Sequence, residues 1–541
     1  MEQVYTPIAG SLAWSTLVAA LPILVLLVMI GILRKPAWIS ALTGLAVGFV
    51  VALGFYGMPA EPAVSSAAMG AAFGLFPIGW IVYWAVVLYR LTVETGQFEV
   101  IKDSIGGLTT DRRLQAMLIA FALGAFIEGA AGFGTPVAVA AAMLTGLGFS
   151  PFFAAGICLL ANTAPVAFGS IGIPVTTLAS VTGLDDHLLS TWVGRLCAPV
   201  SVFIPAYLVM VMGGFKALKG VIPAAIVCGV CFAGMQIFMS ATAGQELVDI
   251  VAALTAIVGL VVLLKVWQPA DEFHMAGEHA AVIELKRHGF GPTLLAWSPY
   301  IFLVIFVLVW GSGILNDNLF RWAQNDVGLI GLAWPGLHNV VTRMPPAVEV
   351  ATPYAATYNL NWLSAAGSAC GLATIFGAIV LRFSVGSYLR LLGSVFKQLS
   401  FSMVTIAAVV GLAYLMNYSG ATVTLGLAFA TTGAVFPFFS AILGWLGVFL
   451  TGSDTSANAL FGNLQVVTAN QLGIDPHIMA SANSAGGVMG KMISLQSLAV
   501  AVAATGMARS QEGDLFRFTF KHSILLASVI GVLTMIYAYL S

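Results

Sequence analysis

The sequence predicts an all-α polytopic membrane protein with about twelve transmembrane helices and two re-entrant hairpins. Of its 541 residues, 60% are hydrophobic and 8% are charged, far below the roughly 25% charge of an average soluble domain. Apolar runs of about 20 residues, long enough to cross a bilayer, recur along the chain. Two polar, glycine-bearing stretches, 114–149 and 436–470, interrupt this pattern. The net charge of −1 gives no indication of a nucleic-acid partner.

The predicted crossings are placed by the length of the apolar runs. The first is interpreted as a retained spanning helix, because the start MEQVYTPIAG lacks the basic region of a signal peptide. The crossings are 12–33, 37–57, 68–89, 152–182, 189–214, 221–241, 247–266, 293–314, 361–381, 398–417, 477–507 and 518–540.

Lysines and arginines collect in alternate loops of this arrangement, on one face of the membrane. By the positive-inside rule this face is cytoplasmic, and both termini are predicted on the outer side. The longest outer loop, 315–360, holds Arg321 and Arg343, but long loops follow the rule poorly. The basic residues of the cytoplasmic loops include Lys35, Lys102, Lys216 and Arg390.

Each polar stretch reads as a hairpin that enters and leaves the membrane on one face, followed by a proline and a spanning helix with a polar break. The breaks are predicted at 161–165 and at 482–486. Counting back from each hairpin gives three crossings and an amphipathic stretch, 90–113 or 421–435. The first unit then begins outside and the second inside, which predicts two inverted-topology repeats.

These repeats divide the chain into three parts. The linking part ends in a polar cytoplasmic loop at 268–292. The parts are a first repeat at 1–215 with hairpin 114–149 and broken helix 152–182, linking helices and loop at 216–292, and a second repeat at 293–541 with hairpin 436–470 and broken helix 477–507.

The paired interruptions predict a substrate site. Irregular backbone inside a bilayer is tolerated where protein or a water-filled cavity satisfies its polar groups, and transporters place such breaks around the substrate. Half-helix N-termini suit a small carboxylate, and glycines let the backbone approach it. Glycine and proline can instead serve helix packing, a reading that fits one motif better than four paired ones. The predicted substrate-binding residues are Gly132, Gly134, Thr135, Asn162, Thr163, Ser453, Thr455, Asn458, Asn483, Ser484 and Lys491.

Four charged residues within apolar segments are further candidates, because an ionised side chain at the centre of a spanning helix costs about 2.5–3.5 kcal/mol. Glu128 and Asp454 lie at the two hairpin tips and are candidate carriers of a coupled proton. Lys491, beside the second break, is the candidate partner of a substrate carboxylate. Arg195 either neutralises an acid or holds two helices together, and the sequence leaves this open.

Two long motifs resemble those of a known family. The run EGAAGFGTPVAVAAAMLTGLGFSPFFAAGICLLANTAPVAFGSIGIPV at 128–175 and the run TGSDTSANALFGNLQ at 451–465 resemble the signatures of the bacterial L-lactate permease family. The resemblance extends over nearly the whole chain. It implies a plasma-membrane permease of bacteria or archaea that takes up L-lactate, often also D-lactate and glycolate, together with a proton.

The same resemblance implies membership of the ion transporter superfamily, with elevator-type movement and commonly a homodimer. Asn162-Thr163 and Asn483-Ser484 match the Ser-Asn-Thr-like turns of that superfamily only in part. This difference weakens the transfer of a sodium site to this chain.

The predicted function is secondary active import of lactate with a proton across the bacterial inner membrane, with no catalytic residue, metal or cofactor. A sodium-coupled carboxylate transporter would share the architecture. A membrane subunit of a proton-pumping complex should carry ionisable residues along the midplane of many helices, and these are missing. An intramembrane enzyme is disfavoured because the sequence has no H-E-x-x-H motif and no intramembrane Ser/His pairing.

Overall fold

The computed structural model describes residues 1–33, 35–132, 134–271, 273, 286–311, 331–348, 350–360, 362–363, 365–508 and 511–540. Over these residues the chain is almost entirely helical, and twelve helical segments are long and apolar enough to cross a bilayer. The predicted fold class is therefore confirmed. Arg321, residues 315–330 of the predicted outer loop and residues 274–285 of the predicted cytoplasmic loop lie outside the described residues.

The helices of the first part of the chain begin and end as follows. They are α1 (Leu12–Gly31), α2 (Ala37–Gly54), α3 (Ala60–Phe73), α4 (Trp80–Glu94), α5 (Gln97–Gly106), α6 (Arg112–Gln115), α7 (Gly124–Ala130), α8 (Thr135–Gly146), α9 (Pro151–Ala161), α10 (Gly169–Thr182), α11 (Asp186–Lys219), α12 (Ile222–Thr242) and α13 (Val248–Val266). A kink at Phe76, whose backbone is extended with φ of −143° and ψ of 123°, lies between α3 and α4. A wider π-helical segment, Ala116–Leu123, joins α6 to α7.

The second part of the chain adds nine helices among the described residues, and two small antiparallel ladders. The helices are α14 (Phe290–Gly311), α15 (Ala366–Val380), α16 (Val385–Ser419), α17 (Ala421–Ala430), α18 (Phe436–Thr451), α19 (Asp454–Leu472), α20 (Pro476–Lys491), α21 (Leu495–Thr505) and α22 (Glu512–Leu540). The strands are β1 (Leu332–Ala333), β2 (Thr342–Arg343), β3 (Thr352–Pro353) and β4 (Thr357–Tyr358), with β1 paired to β4 and β2 to β3.

Most predicted crossings coincide with helices to within a few residues, and three differ by more. The crossing predicted at 68–89 begins earlier, because α3 starts at Ala60 and α4 follows it across the kink at Phe76. The crossing predicted at 398–417 belongs to a longer helix, since α16 starts at Val385. The crossing predicted at 361–381 is shorter, since α15 has 15 residues. At 1.5 Å per residue it extends over about 22 Å, less than the roughly 30 Å hydrocarbon core.

The first predicted helix break is present. Helix α9 ends at Ala161, four turn residues follow, and the chain direction changes by 62° before it continues into α10. At the start of α10 the backbone of Ser170, Ile171 and Gly172 is left-handed, with φ of 48°, 60° and 72°. Two of these residues carry side chains that disfavour such angles, so the surrounding structure must hold this turn in place.

The second predicted break, at 482–486, is wrong. Helix α20 runs without interruption through these residues and ends at Lys491, and the break lies at 492–494 instead. The physical reason is close packing against α18: a Cβ at Gly486 would lie 2.6 Å from Ala441 Cα, and one at Gly444 would lie 2.6 Å from the Asn483 carbonyl carbon. These glycines let two helix backbones approach each other, as small residues do in membranes.

The helices pack into two groups. In the first, called the frame, α16 packs on α2 and α3, and α14 and α15 pack with α4. In the second, called the inner group, α11 packs on α12 and α20, α18 packs on α20 and α22, and α10 packs on α19. Close approach within the frame again depends on glycine, because a Cβ at Gly70 would lie 2.8 Å from Gly411 Cα.

Two helix pairs of the inner group form the predicted hairpins. Helix α7 turns into α8 at Gly134, and α18 turns into α19 at Gly452, both in the left-handed region with φ of 81° and 73°. Helix α8 has 12 residues and extends over about 18 Å, too short to cross the hydrocarbon core. Its length is consistent with a re-entrant hairpin; the membrane depth of the hairpins and the inverted repeats stay predictions.

Arg113 is buried where the base of the first hairpin, the end of α11 and the start of the 268–292 stretch meet. Its guanidinium donates to the Asp111 carboxylate (2.7 Å), the Asp271 carboxylate (3.0 Å) and the Ala217 carbonyl (3.1 Å). The hydrogen bonds from Arg113 hold the pKa of the Asp271 carboxyl below its usual value. Through these hydrogen bonds, the arginine joins the hairpin base to the linking segment. Breaking them would leave a buried charge without a partner, which is costly.

We expect Arg113→Gln to lower the free energy of unfolding by about 3–5 kcal/mol, because the nearly buried Asp111 loses its cation. Thermal unfolding in detergent measures this change. The matched control is Arg517→Gln, which removes an exposed arginine 3.8 Å from Asp514. Exposed pairs contribute about 0–1 kcal/mol, so the control should melt near the parent temperature. Equal melting of both variants would contradict the role given to Arg113.

Candidate functional site

A cavity of about 150 Å³ lies where the two hairpin tips meet the break before α10 and the end of α20. We call it the central cavity. Its lining comes from both halves of the chain, with additional residues of α2 and α16 from the frame. The lining residues include Ala37, Glu128, Gly169, Ser170, Pro174, Ser402, Thr405, Thr451, Gly452, Ser453, Asp454, Thr455, Ser456, Lys491 and Gln496. Residues of both hairpin tips therefore meet at one cavity, together with residues that follow the predicted helix breaks in the chain, such as Gly169 and Lys491.

The tip of the first hairpin is held by the left-handed turn that begins α10. The Ser170 hydroxyl donates to the Ala131 carbonyl at 2.9 Å, so the turn and the tip are joined directly. Gly132 has a φ of 58° and lies against Ser170, which leaves no space for a side chain. Gly169 packs on the carboxyl of Glu128, and a Cβ there would lie 2.7 Å from Glu128 Oε1. The turn thus fixes the position of Glu128 at the cavity wall.

Glu128 is buried and incompletely hydrogen bonded. Its Oε2 atom has no partner among the described residues, and neither polar atom of the Asn162 side chain has one. Asn162 lies beside the Glu128 carboxyl, close enough to interact but without a well-aligned hydrogen bond. Buried polar groups are almost always satisfied, so orphan atoms at a cavity indicate a place that water or a ligand completes.

The tip of the second hairpin presents the N-terminus of α19 to the cavity. Ser453 caps this helix by accepting a hydrogen bond from the Ser456 N–H at 3.2 Å. The Asp454 carboxylate accepts from the Ser484 hydroxyl at 2.6 Å and from the Asn458 amide at 3.4 Å through the same oxygen, Oδ2. Its second oxygen, Oδ1, is buried and has no partner in the described part of the chain.

A chain of side-chain hydrogen bonds supports Asp454 from behind. The Gln465 amide donates to Asn483 at 3.0 Å, Asn483 donates to Asn458 at 2.9 Å, and Asn458 donates to Ser484 at 3.1 Å. The Asn458 amide also lies 3.1 Å from the Pro174 carbonyl of α10, which connects the second half of the chain to the first. These hydrogen bonds restrict the orientation of the buried carboxylate, although the Gln465 side-chain oxygen has no partner among the described residues.

Lys491 is the cation of the central cavity. Its Nζ donates to the Gly452 carbonyl at 2.7 Å, which holds the ammonium against the second tip. The side chain is 7% exposed and interacts electrostatically with both Glu128 and Asp454. One buried ammonium therefore lies within electrostatic range of two buried carboxyl groups that belong to different hairpins.

The structure divides the predicted site residues into two sets. Glu128, Ser453, Asp454, Thr455 and Lys491 line the central cavity. The remaining predicted residues, Gly132, Gly134, Thr135, Asn162, Thr163, Asn458, Asn483 and Ser484, are not part of its lining and pack in the surrounding wall. Arg195 is not brought to the cavity either: it is exposed on α11, with its guanidinium 4.8 Å from the ring of Trp192.

Among the residues that sequence reasoning missed, three polar ones belong to the inner side of the site. Ser170 and Gln496 line the cavity, and the signal for Ser170 was its place between Gly169 and Gly172. Asp249 is buried behind Gly129, where a Cβ would lie 2.7 Å from Asp249 Cβ, and neither of its carboxyl oxygens has a partner among the described residues. It escaped notice because an acid in the first turn of a helix is ordinary.

Comparison with known proteins decides the family. The family model described as "L-lactate permease" matches residues 15–541 of this chain. The chain belongs to the L-lactate permease family. This permease is 46% identical to an L-lactate permease of Bacillus subtilis, over 98% of this chain and 97% of the relative. The family resemblance stated from the sequence is thus confirmed, and the twelve apolar helices make this permease a multi-pass membrane protein.

Two relatives from Escherichia coli K12 carry different names at the same level of similarity. The permease is 42% identical to an L-lactate permease, over 99% of this chain and 98% of the relative. It is also 42% identical to the glycolate permease GlcA, over 99% of this chain and 98% of that protein. Family membership therefore indicates a transporter, and the relatives are named for small 2-hydroxy acids.

We expect Gly169→Ala to destabilise the permease by about 1–3 kcal/mol, because the new methyl group overlaps the Glu128 carboxyl. Thermal unfolding measures the loss, and Glu128→Ala in the same chain should recover part of it by removing the overlap. Gly234→Ala is the matched control, since no atom lies within 4 Å of a Cβ at that position. If Gly169→Ala melted like the control, the close contact between Gly169 and Glu128 would be refuted.

Proposed function

We propose that this permease imports L-lactate, and also D-lactate and glycolate, together with a proton across the bacterial plasma membrane. The names of its relatives support the substrate class. The observation that carries the coupling is the lining of the central cavity, where one lysine lies within electrostatic range of two buried carboxyl groups. Ionisable side chains are not needed for packing helices together, and each is costly to bury in a membrane protein unless it has a partner or a functional role.

The net charge of the central cavity couples the binding of an anion to the binding of protons. With Glu128 and Asp454 both ionised, the three groups carry a net charge of −1, which repels lactate. Each proton that binds raises this charge by one, so full protonation leaves the Lys491 ammonium free to attract the anion. Because charges interact strongly in a poorly solvated cavity, anion and proton favour each other's binding. Asp249, which lies within electrostatic range of Glu128, would strengthen this dependence when ionised.

The second hairpin tip supplies the groups that a 2-hydroxy acid needs. The Lys491 ammonium and the positive end of α19, at Ser453 and Thr455, suit the carboxylate. The unpartnered oxygens of Glu128 and Asp454 can accept a hydrogen bond from the substrate hydroxyl when they are ionised, or donate one when protonated. A cavity of about 150 Å³ leaves space for a small organic acid.

The position of the cavity supports elevator-type transport. Ala37, Ser402 and Thr405 belong to the frame, and the other side chains named in the cavity lining belong to the inner group. Movement of the inner group along the frame would carry the site from one side of the membrane to the other. Contacts such as that between the Tyr414 hydroxyl and the Ser180 carbonyl, at 2.9 Å, join the two groups and would separate during this movement. A homodimer and outward-facing termini stay predictions.

Uptake in proteoliposomes with an imposed pH gradient tests the proton coupling. We expect Glu128→Gln or Asp454→Asn to abolish gradient-driven accumulation of L-lactate while leaving lactate exchange across the membrane measurable, because a neutral amide cannot release a proton. Asp514→Asn, an exposed acid, is the control and should accumulate lactate like the parent. Accumulation that still follows the pH gradient in both cavity variants would exclude these two carriers. Accumulation that instead follows a sodium gradient would establish the sodium-coupled alternative.

We expect Lys491→Gln to lower the kcat/KM of lactate uptake by roughly 30-fold or more, since losing one partner of a buried charge pair costs about 2–5 kcal/mol. Initial uptake rates over a range of lactate concentrations measure it. Lys521→Gln removes an exposed lysine and serves as the control. An unchanged kcat/KM in Lys491→Gln would refute the role of the ammonium in anion binding.

A further inference from the structure

A second cavity, of about 410 Å³, lies at the end of the molecule formed by the N-terminal residues and strands β2 and β3. We call it the vestibule. It is bordered by Arg343, Tyr354, Tyr414, Asn417 and Asn463, together with the end of α10 at Ser180 to Gly183. Helix α10 also contributes Pro174 to the central cavity, so the five residues 175–179, about 9 Å of helix, separate the two cavities along α10.

Arg343 is held rigidly at the wall of the vestibule. Its strand β2 pairs with β3, and the neighbouring Thr342 accepts from the Gln3 N–H at 3.0 Å and donates to the Met1 carbonyl at 2.7 Å. The guanidinium stacks on the ring of Tyr354, with 4.6 Å between its carbon and the ring centre. The arginine is therefore pre-positioned by backbone pairing and by an aromatic face before any ligand arrives.

The Arg343 side chain has a buried donor, Nε, with no acceptor among the described residues. Arg343 is also the one charged side chain among the described residues that line the vestibule. A guanidinium carries five N–H donors in a planar fork that fits a carboxylate, and a buried donor left unpaired costs about 1–3 kcal/mol. Stacking on Tyr354 alone does not satisfy these donors.

We propose that Arg343 and the vestibule form a second binding site, for a small monocarboxylate, distinct from the central cavity. One cation among neutral amide and phenol groups fits a single negative charge and not a polyanion. The inference that lactate binds here before it reaches the central cavity rests on the proposed function. The inference that the site binds a carboxylate does not.

The floor of the vestibule accounts for the separation of the two sites. The Tyr414 hydroxyl donates to the Ser180 carbonyl, the Asn417 amide lies 3.3 Å from the Val181 carbonyl, and the Asn463 amide donates to Asn417 Oδ1 at 2.9 Å. These hydrogen bonds join α16 of the frame to α10 and α19 of the inner group. An anion at Arg343 can therefore bind while the way to the central cavity is closed.

Protection of a cysteine from labelling tests this site in the full chain. Ala355 is exposed and lines the vestibule, so Ala355→Cys serves as the reporter. The variant is made in a Cys231→Ser background, because Cys231 is the one native cysteine that is not buried. Intact cells are treated with a membrane-impermeant maleimide, with and without L-lactate or acetate. At ten times the Kd of the carboxylate, labelling should slow about tenfold, because only the empty vestibule reacts.

Two variants separate the sites. Protection should persist in Lys491→Gln, which disables the central cavity, should disappear in Arg343→Gln, and should be partly kept in Arg343→Lys, which retains the charge. The matched control is Arg390→Gln, an exposed arginine, which should protect like the parent. Labelling without carboxylate should be equal in all variants if the 331–358 segment stays folded.

The outcomes are distinguishable from those of the uptake assays. Protection that is absent in the parent, that survives Arg343→Gln, or that is lost in Lys491→Gln would overturn the second site. Protection by acetate that depends on Arg343, in a protein that does not accumulate lactate, would uphold the second site while refuting the proposed function. If Arg343→Gln raises labelling in the absence of carboxylate, Arg343→Lys becomes the deciding variant. Protection in Arg343→Lys that equals the parent's for both carboxylates at every concentration would overturn the role of the planar guanidinium.

Discussion

Burying Glu128, Asp454 and Lys491 together is the constraint on which the rest of the inner group depends. Charged groups away from water need partners. The Gly452 carbonyl of one hairpin turn binds the ammonium, and Ser484, within the unbroken helix α20, donates to the Asp454 carboxylate. Gly169, directly before the left-handed turn at 170–172, packs on the Glu128 carboxyl. The irregular backbone and the buried charges therefore stabilise each other, and a cavity remains where some of their atoms are unpaired.

Glycine has two physical roles in this fold, and they position different parts of the site. At Gly132 and Gly452 it permits left-handed turns, which form the hairpin tips. At Gly444 and Gly486 it permits α18 and α20 to touch backbone to backbone, which makes the second half a rigid support for Asp454. In the first half, cavity residues lie at an unwound turn, whereas in the second half they lie at helix ends. The two halves thus solve the same problem with different local structures.

The two cavities lie along the same helix, α10, one near each of its ends. Near its end, α10 is joined to the frame by carbonyl groups at Ser180 and Val181, and near its start it contributes Gly169, Ser170 and Pro174 to the central cavity. Any movement of the inner group shifts both ends of this helix together. The vestibule arginine belongs to the segment at 331–358 and not to α10, so a relative displacement changes the distance between the two sites.

The sequence by itself determined the fold class, most of the apolar crossings, the family, and the three charged residues of the central cavity, because hydrophobic length and isolated charges are local properties of the chain. It could not determine which glycines bend the backbone. Whether the glycine at 486 unwinds a helix or packs against one depends on Ala441, 45 residues away in the chain. The same reason hid Asn483 as a support for Asp454, and Arg343 as an unpaired cation: their roles are defined by partners from distant segments, which only the tertiary structure brings together.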